Sequence, residues 1–471
     1  MAAKKRLVFC FDGTSNTLDM PSPTNVAITA AAVRNSADIP QIVYYDEGVG
    51  STKGEKLKGG AFGAGLYDKI IEAYKFLVFN YEPGDEIFIF GFSRGAYTAR
   101  SFAGLIHHVG VVNSCYSEKI AVATALYQNR AGGEADFRDD LNDFRSKFVP
   151  DVCASDEDRA WRVENVPGFD PDRTPVVTIK YLGVWDTVKT IGSAYLDGDE
   201  DDDGEADFAE FHDHGLHPSV ESARHAVALD ERRKKFNVTL WDNVDDLNTA
   251  RGVAVDDPER PYQQVWFPGT HGSVGGGGDI RGLSDEGLEW VLEGAKRAGL
   301  RLDVTSHSKI YGIRPDALAK LDNSSKRSWD IGAIVMRHLP RTDRNGPANI
   351  YEVSRSAVVR WAAPAGATPE GKQYRPRTLD KVVQGVNAAA QEFAPWMFAS
   401  RGFHGEVGQA DAEAYNGGDR IFRRHVIQPN ETLETVAEGY GVTVDAILAV
   451  NKTTILDPDR YYAWQVINIP T

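Results

Sequence analysis

The stretch Glu86-Ile87-Phe88-Ile89-Phe90-Gly91-Phe92-Ser93-Arg94-Gly95-Ala96-Tyr97-Thr98-Ala99-Arg100 decides the fold. Its first half, EIFIFGF, is apolar without alternation, which reads as a strand buried on both faces. From Ala96 to His108 the residues are small and apolar, suited to a helix packed closely on a sheet. Between them lies Gly91-Phe92-Ser93-Arg94-Gly95. Gly-X-Ser-X-Gly has three fixed positions and recurs by chance. It gains meaning from a buried strand before it, a helix after it and the serine on the sharp turn between. The flanking glycines suit a strained, crowded backbone. The competing reading is a strand–helix turn whose serine only caps the helix.

Working outward, Leu7 to Phe11 (LVFCF) is a compact apolar run that ends in the turn Asp12-Gly13-Thr14. Gln41 to Tyr45, Val176 to Trp185 and Val265 to Phe267 read as further strands. Leu66 to Phe79 carries apolar residues at helical spacing, and Pro83-Gly84-Asp85 turns the chain into the strand at 86. Ser284 to Ala298 opens with Ser-Asp-Glu, a helix N-terminal signature. Buried runs alternating with helices predict an α/β fold with a mostly parallel sheet covered on both faces. Insertions are expected at about 130–175, which is polar and rich in Pro and Asp, and at about 197–215, which is acidic. Residues 301–420 are mixed and Arg-rich, with one helix around Leu379 to Trp396. The composition changes at Arg423-Arg424, giving a larger domain over 1–422 and a small module over 423–471.

The chain has 471 residues, 42% hydrophobic and 25% charged, which is enough apolar material for a large soluble core. Its net charge of −16 argues against nucleic acid as a partner and against electrostatic adhesion to anionic lipid. Cys10, Cys115 and Cys153 are odd in number and far apart, so neither a disulfide framework nor a metal-ligand cluster is indicated. The N-terminus lacks the apolar core of a signal peptide and no run reaches transmembrane length. Cytoplasmic synthesis is the expectation, with any secretion by a signal-independent route.

A serine hydroxyl needs a base and an orienting acid to become a nucleophile. On α/β-hydrolase folds the chain order is nucleophile, acid, base. Asp186 stands directly after the strand ending at Trp185, at the carboxyl end where open α/β sheets place ligands. The carboxylates at 197–210 are rivals that orient an imidazole poorly while solvated. Among eleven histidines, His271 lies just past the Val265 strand and before the glycine-rich Gly275-Gly276-Gly277-Gly278. His404, later in the chain, competes with it. His107 and His108 sit at the far end of the elbow helix, His212, His214 and His217 follow the acidic loop, and His225 reads as helical. Asp12-Gly13-Thr14 also matches part of an aspartate-phosphatase motif, but the nucleophilic position there is Cys10, so that reading fails. In a hydrolase the loop after an early strand supplies one oxyanion-hole N–H and the residue after the nucleophile the other. The candidates are the backbone amides of Gly13 or Thr14 and of Arg94.

Six separated blocks now agree with one family. They are Phe11-Asp12-Gly13-Thr14-Ser15-Asn16, Tyr45-Asp46-Glu47-Gly48-Val49-Gly50, GFSRGAYTAR from Gly91, Gly183-Val184-Trp185-Asp186-Thr187-Val188, Ala228-Leu229-Asp230-Glu231-Arg232, and WFPGTHGSVGGGG from Trp266. Over roughly residues 5–300 the chain resembles the α/β-hydrolase domain family of uncharacterised bacterial proteins that includes the first class of type VI secretion phospholipase effectors. The resemblance implies Ser93 as nucleophile, Asp186 as acid and His271 as base. It also implies phospholipid as the favoured substrate, and secretion machinery or an immunity protein as partners. One departure stands out. After the histidine the family usually reads Ser-Asp-Val-Gly-Gly-Gly, whereas here Gly272-Ser273-Val274 leaves the aspartate out.

In the acidic run, Asp199, Asp201, Asp203, Gly204, Asp207 and Glu210, with Glu205 among them, match the spacing of an EF-hand loop. Calcium is the ion this spacing suits, and a solvated acidic loop is the alternative. The terminal module, from His425-Val426-Ile427 to Val466-Ile467-Asn468-Ile469-Pro470, resembles a LysM repeat, with spacing for strand, two short helices, strand. The resemblance implies binding of peptidoglycan or another N-acetylglucosamine glycan, with Asn430, Thr432 and Leu456 as candidate contacts. Asn430-Glu431 replaces the usual Gly-Asp and Ala463-Trp464 the usual Pro-Gly. The sequence thus predicts a serine hydrolase of carboxylic esters, of (phospho)lipase or esterase type, that acts through an acyl-enzyme and requires no cofactor. The alternative is a catalytically idle hydrolase-fold scaffold or a cell-wall glycan binder acting through the terminal module.

Overall fold

The computed structural model describes residues 4–13, 16, 18–34, 39–48, 62–128, 134–189, 215–303, 312–325, 340–399, 422–427, 431–451 and 466–470. Six strands form one sheet: β1 (Arg6–Phe11), β2 (Gln41–Asp46), β3 (Glu86–Phe92), β4 (Ile179–Trp185), β5 (Ala223–Ala228) and β6 (Tyr262–Phe267). Their order is β2-β1-β3-β4-β5-β6, with every pairing parallel.

Parallel neighbours need crossovers, and here helices bury both faces of the sheet. Strand β1 shows the division residue by residue. Leu7, Phe9 and Phe11 enter a core shared with Ile70, Tyr74, Leu77, Ala96, Ala99 and Phe102 of α2 (Phe62–Asn80) and α3 (Arg94–Val109). Val8 and Cys10 enter the opposite core, with Val26 and Ile28 of α1 (Asn25–Ala32). The polar 130–175 stretch contains α5 (Glu134–Phe148) and α6 (Asp156–Asn165), which follow α4 (Ile120–Gln128) on the first face. On that face, Arg162 of α6 meets the buried Asp158 at 2.9 Å.

His225 lies in β5, not in a helix. The run Ala-Arg-His-Ala-Val-Ala is fully buried because its polar members have distant partners: Arg224 with Glu293, and His225 with Thr187 and Gln264. Beyond α7 (Val244–Ala250) and β6 come the short α8 (His271–Gly275) and α9 (Gly282–Arg297), whose Leu288, Val291 and Leu292 join the second core.

The stretch 301–420 is not a separate body in its described part. α10 (Arg355–Ala362) and α11 (Val383–Ala399) close a third core with Val227, Leu229 and Trp266 at the β5–β6 end of the sheet. Val353 extends beside Trp266, and Ser354 N–H donates to the Trp266 carbonyl at 2.9 Å.

The terminal module pairs β7 (Phe422–Val426) antiparallel with β8 (Val466–Pro470) around α12 (Leu433–Tyr440) and α13 (Val444–Val450). Thr432 and Thr435 form a capping box on α12, and Ile427, Leu433, Val436, Ile447, Ile467 and Ile469 make its core. Among the described residues no helix is long and apolar enough to cross a membrane.

Candidate active site

The connection from β1 runs to β2 on one side, and the connection from β3 runs to β4 on the other. The crevice outside the carboxyl ends of β1 and β3 is therefore a topological switch point, where open α/β sheets take ligands. Ser93 stands there. It turns the chain from β3 into α3 with φ +59° and ψ −124°, a backbone region that L-residues avoid. Its amide donates to the Trp185 carbonyl at 3.0 Å and its own carbonyl caps the first turn of α3. The side chain makes no cap to the helix, so the plain helix-cap reading does not hold. The flanking glycines are needed for closeness. A Cβ on Gly95 would lie 2.3 Å from the Phe11 carbonyl oxygen, and one on Gly91 would lie 2.4 Å from the Gly95 oxygen.

Asp186 is the first residue after β4, fully buried and at φ +39°. His271 follows β6 as the first residue of α8 rather than lying on a free loop. Its ring is flanked by Phe92 at 4.7 Å and Phe236 at 4.8 Å between centroids. The structure brings these three residues together. Ser93 Oγ lies 2.8 Å from His271 Nε2, and His271 Nδ1 lies 2.6 Å from Asp186 Oδ2. A carboxylate on Nδ1 fixes the tautomer, so Nδ1–H donates to Asp186 and Nε2 accepts the serine proton. Burial pushes the Asp186 carboxyl toward protonation. The Arg344 guanidinium and the His271 hydrogen bond outweigh it and hold the group well below the usual carboxylate range.

A family model of the type VI secretion (T6SS) phospholipase effector Tle1-like catalytic domain matches residues 5–294. The chain belongs to this family. A LysM family model matches residues 425–470. The uncharacterised protein YEL023C of Saccharomyces cerevisiae is 28% identical over 253 residues, 49% of this chain and 32% of the yeast protein. Among solved structures, the chain is similar to the Tle1 effector bound to the VgrG spike of the type VI secretion system (16% identity, 58% of this chain and 51% of that one, TM-score 0.28). It is also similar to an uncharacterised protein from Pseudomonas aeruginosa (17% identity, 88% and 62%, TM-score 0.33). The chain spans about a third of the yeast protein and about half of the Tle1 chain.

In this Tle1-like domain the Ala228-Leu229-Asp230-Glu231-Arg232 block braces His271 and Asp186. Ala228 N–H donates to Asp186 Oδ1 at 2.9 Å, Asp230 Oδ2 accepts the Gly269 amide at 2.7 Å, and Glu231 Oε2 accepts the His271 amide at 3.2 Å. Ser273, where the family usually carries aspartate, donates to the Leu321 carbonyl at 2.5 Å and meets Thr270 Oγ1 at 3.0 Å. A neutral hydroxyl thus ties α8 to the 321–325 segment. His225 supports the residue after Asp186: its Nε2 accepts the Thr187 amide at 3.2 Å. Burial, then the charge of Arg100, pushes its pKa down to about 3, so it stays neutral.

Gly13 is held within its own loop. Its amide donates to Asp12 Oδ1 at 2.6 Å, because the Asp12 side chain folds back on its own loop, where Thr24 and Tyr45 also hold it. That N–H is already engaged. Arg94 opens α3, where a first-turn amide has no intrahelical acceptor. Thr14 lies outside the described residues, as do His404, Asn430, Leu456 and the acidic positions Asp199, Asp201, Asp203, Glu205, Asp207 and Glu210. Among the described residues no group of His, Cys, Asp or Glu is arranged to hold a metal ion. His107, His108 and His217 cluster with one another, ring centroids 4.4 to 5.2 Å apart, at the opposite end of α3 from Ser93. Thr432 is engaged as the N-cap of α12.

Sequence reasoning missed Arg344. It lies 50 residues beyond the last position matched by the catalytic-domain model and donates to both oxygens of Asp186, at 2.6 and 3.0 Å.

Proposed function

We propose that the chain is a serine hydrolase that cleaves carboxylic esters through an acyl-enzyme, with phospholipids as its substrates. The observation that carries this reading is the unbroken relay from Ser93 Oγ through His271 to a fully buried, ionised Asp186. Ser93 Oγ attacks the ester carbonyl carbon while Nε2 takes its proton. The tetrahedral oxyanion is met by the Arg94 amide, with Thr14 as the donor from the loop after β1. The intermediate then collapses, and His271 returns the proton to the departing alcohol. Water repeats the sequence on the acyl-Ser93 ester and releases the acid. Asp186 stays ionised throughout, steadying the imidazolium.

Family membership supports phospholipid as the substrate and delivery without a cleaved signal, with secretion machinery and an immunity protein as partners. The LysM match supports attachment to an N-acetylglucosamine glycan such as peptidoglycan, with Asn430, Thr432 and Leu456 as the candidate contacts. The deciding experiment is fluorophosphonate labelling followed by hydrolysis of defined phospholipid vesicles. Wild type is expected to label and Ser93→Ala not to label. Folded wild type that does not label would leave a hydrolase-fold scaffold.

A further inference from the structure

The catalytic-domain match ends at residue 294, yet the acid of the relay is held by a side chain from beyond it. We propose that Arg344 is a positioning residue of the active site, so that the working unit is a Ser93–His271–Asp186–Arg344 tetrad completed by the segment after the matched domain. This rests on the serine-hydrolase reading above.

The delivery of Arg344 is specific. Residues 340–343 run antiparallel to the loop that follows the Ala228–Arg232 block. Lys234 N–H donates to the Pro340 carbonyl at 2.9 Å and Thr342 N–H to the Arg232 carbonyl at 2.7 Å. Arg232 and Asp343 pair at 2.7 Å. The next residue enters the site with its guanidinium almost wholly covered. Nη1 donates to Asp186 Oδ1 at 2.6 Å and to the Ala228 carbonyl at 2.9 Å. Nη2 donates to Asp186 Oδ2 at 3.0 Å and to the Phe236 carbonyl at 2.6 Å.

One planar group therefore fastens three things: the acid after β4, the end of β5, and the residue whose ring lies beside His271. A carboxylate carries about four lone-pair sites. Arg344, Ala228 N–H and His271 Nδ1–H supply four donors, which leaves the carboxylate a single orientation. Bidentate Arg–carboxylate pairing adds geometric constraint as well as charge, and lysine cannot reproduce it. Without the guanidinium, a fully buried Asp186 would keep only His271 and one amide, and burial would favour its protonated form. A protonated acid cannot steady the imidazolium formed when Ser93 attacks. Arg344 makes its hydrogen bonds to Asp186 and to the Ala228 and Phe236 carbonyls, so its charge acts on the relay through Asp186.

The test uses the full chain and the rate of fluorophosphonate labelling, read beside ester kcat and KM. Arg344→Met is expected to label about 100-fold more slowly, with kcat falling and KM within about threefold of wild type. Arg344→Lys keeps the charge but loses the fork, and falls about tenfold while preserving the fold. Asp186→Asn alone costs about 10⁴-fold, and adding Arg344→Met to it changes the rate less than about threefold, because no carboxylate remains to be held. If Arg344→Met, or Arg344→Lys should the methionine variant not fold, labels within about threefold of wild type, the tetrad is wrong. If the Arg344 effect persists in full on the Asp186→Asn background, the residue is merely structural and the proposal is overturned. Wild type that fails to label instead refutes the hydrolase reading beneath it.

Discussion

Gly95→Ala tests whether the elbow is as tightly built as its contacts indicate. The added Cβ would sit 2.3 Å from the Phe11 carbonyl oxygen and 2.4 Å from that of Asp12. Real Cβ atoms do not come within 3.0 Å of such neighbours, so one side must retreat by about 0.7 Å. Neither side yields readily. Phe11 ends a strand that is hydrogen-bonded on both edges, and the Asp12 amide is tied to the Asp46 carbonyl at 3.0 Å. On the other side, α3 is anchored by Ala96, Ala99, Phe102 and Ile106 in the core. The displacement falls on the turn that carries Ser93 Oγ and the Arg94 amide. Misplacement by about 1 Å costs on the order of 10²-fold in rate, so a loss of about 10- to 100-fold in kcat is expected. Overpacking should cost about 1–3 kcal/mol of stability without unfolding the domain. The assay is kcat and KM on a short-chain p-nitrophenyl ester, beside thermal unfolding. Activity above half of wild type with unchanged Tm would show that the elbow has slack, and the close-packing argument would fail.

Two further outcomes follow from side chains around the histidine. Ser273→Asp restores the residue the family usually carries, yet here it should destabilise by about 1–3 kcal/mol, because a carboxylate cannot donate to the Leu321 carbonyl that Ser273 now satisfies. An unchanged or raised Tm would refute that. Asp230 is pushed up to about 6 by burial, against the Gly269 and Tyr374 hydrogen bonds that favour its charged form. A raised carboxyl contributes stability that is full below its ordinary range, near pH 4, and is lost as pH rises through about 6. Asp230→Asn cannot titrate there. The Tm difference, wild type minus variant, should therefore decline from pH 4 to pH 7, and a flat or rising difference would contradict the assignment.

The strand–turn–helix at 86–109 was legible because a sheet buried on both faces needs a continuous apolar run, and EIFIFGF is one. Asp186 and His271 were nominated for a related reason, since both follow strands at the carboxyl edge, but position left His404 as a rival to His271 and only the family resemblance chose between them. Strand β5 was not. Arg224 and His225 break its apolar run, and what makes them tolerable inside the sheet is Glu293 on α9 and Gln264 on β6. Helix α1 was also missed. Asn25 is buried within it because its side-chain amide donates to the Val274 and Ser284 carbonyls, about 250 residues away. The engaged amide of Gly13 could not be read either, since the fold-back of Asp12 depends on Thr24 and Tyr45.

Arg344 marks the limit of pattern reading more sharply than any of these. A fully buried aspartate that must stay ionised needs a compensating cation, and that need follows from burial alone. The identity of the cation does not. Arg344 stands 158 residues from Asp186, in a segment whose composition carries no period, and nothing local separates it from Arg341 three residues earlier in the same Arg-rich stretch. What selects it is the antiparallel pairing of 340–343 with the loop after Arg232, which exists only once β5 and β6 are in place. The helices that follow Arg344 close the third core over Val227, Leu229 and Trp266, at the same end of the sheet. A segment that looks like a surface addition in one dimension thus reaches the charge balance of the buried Asp186 in three.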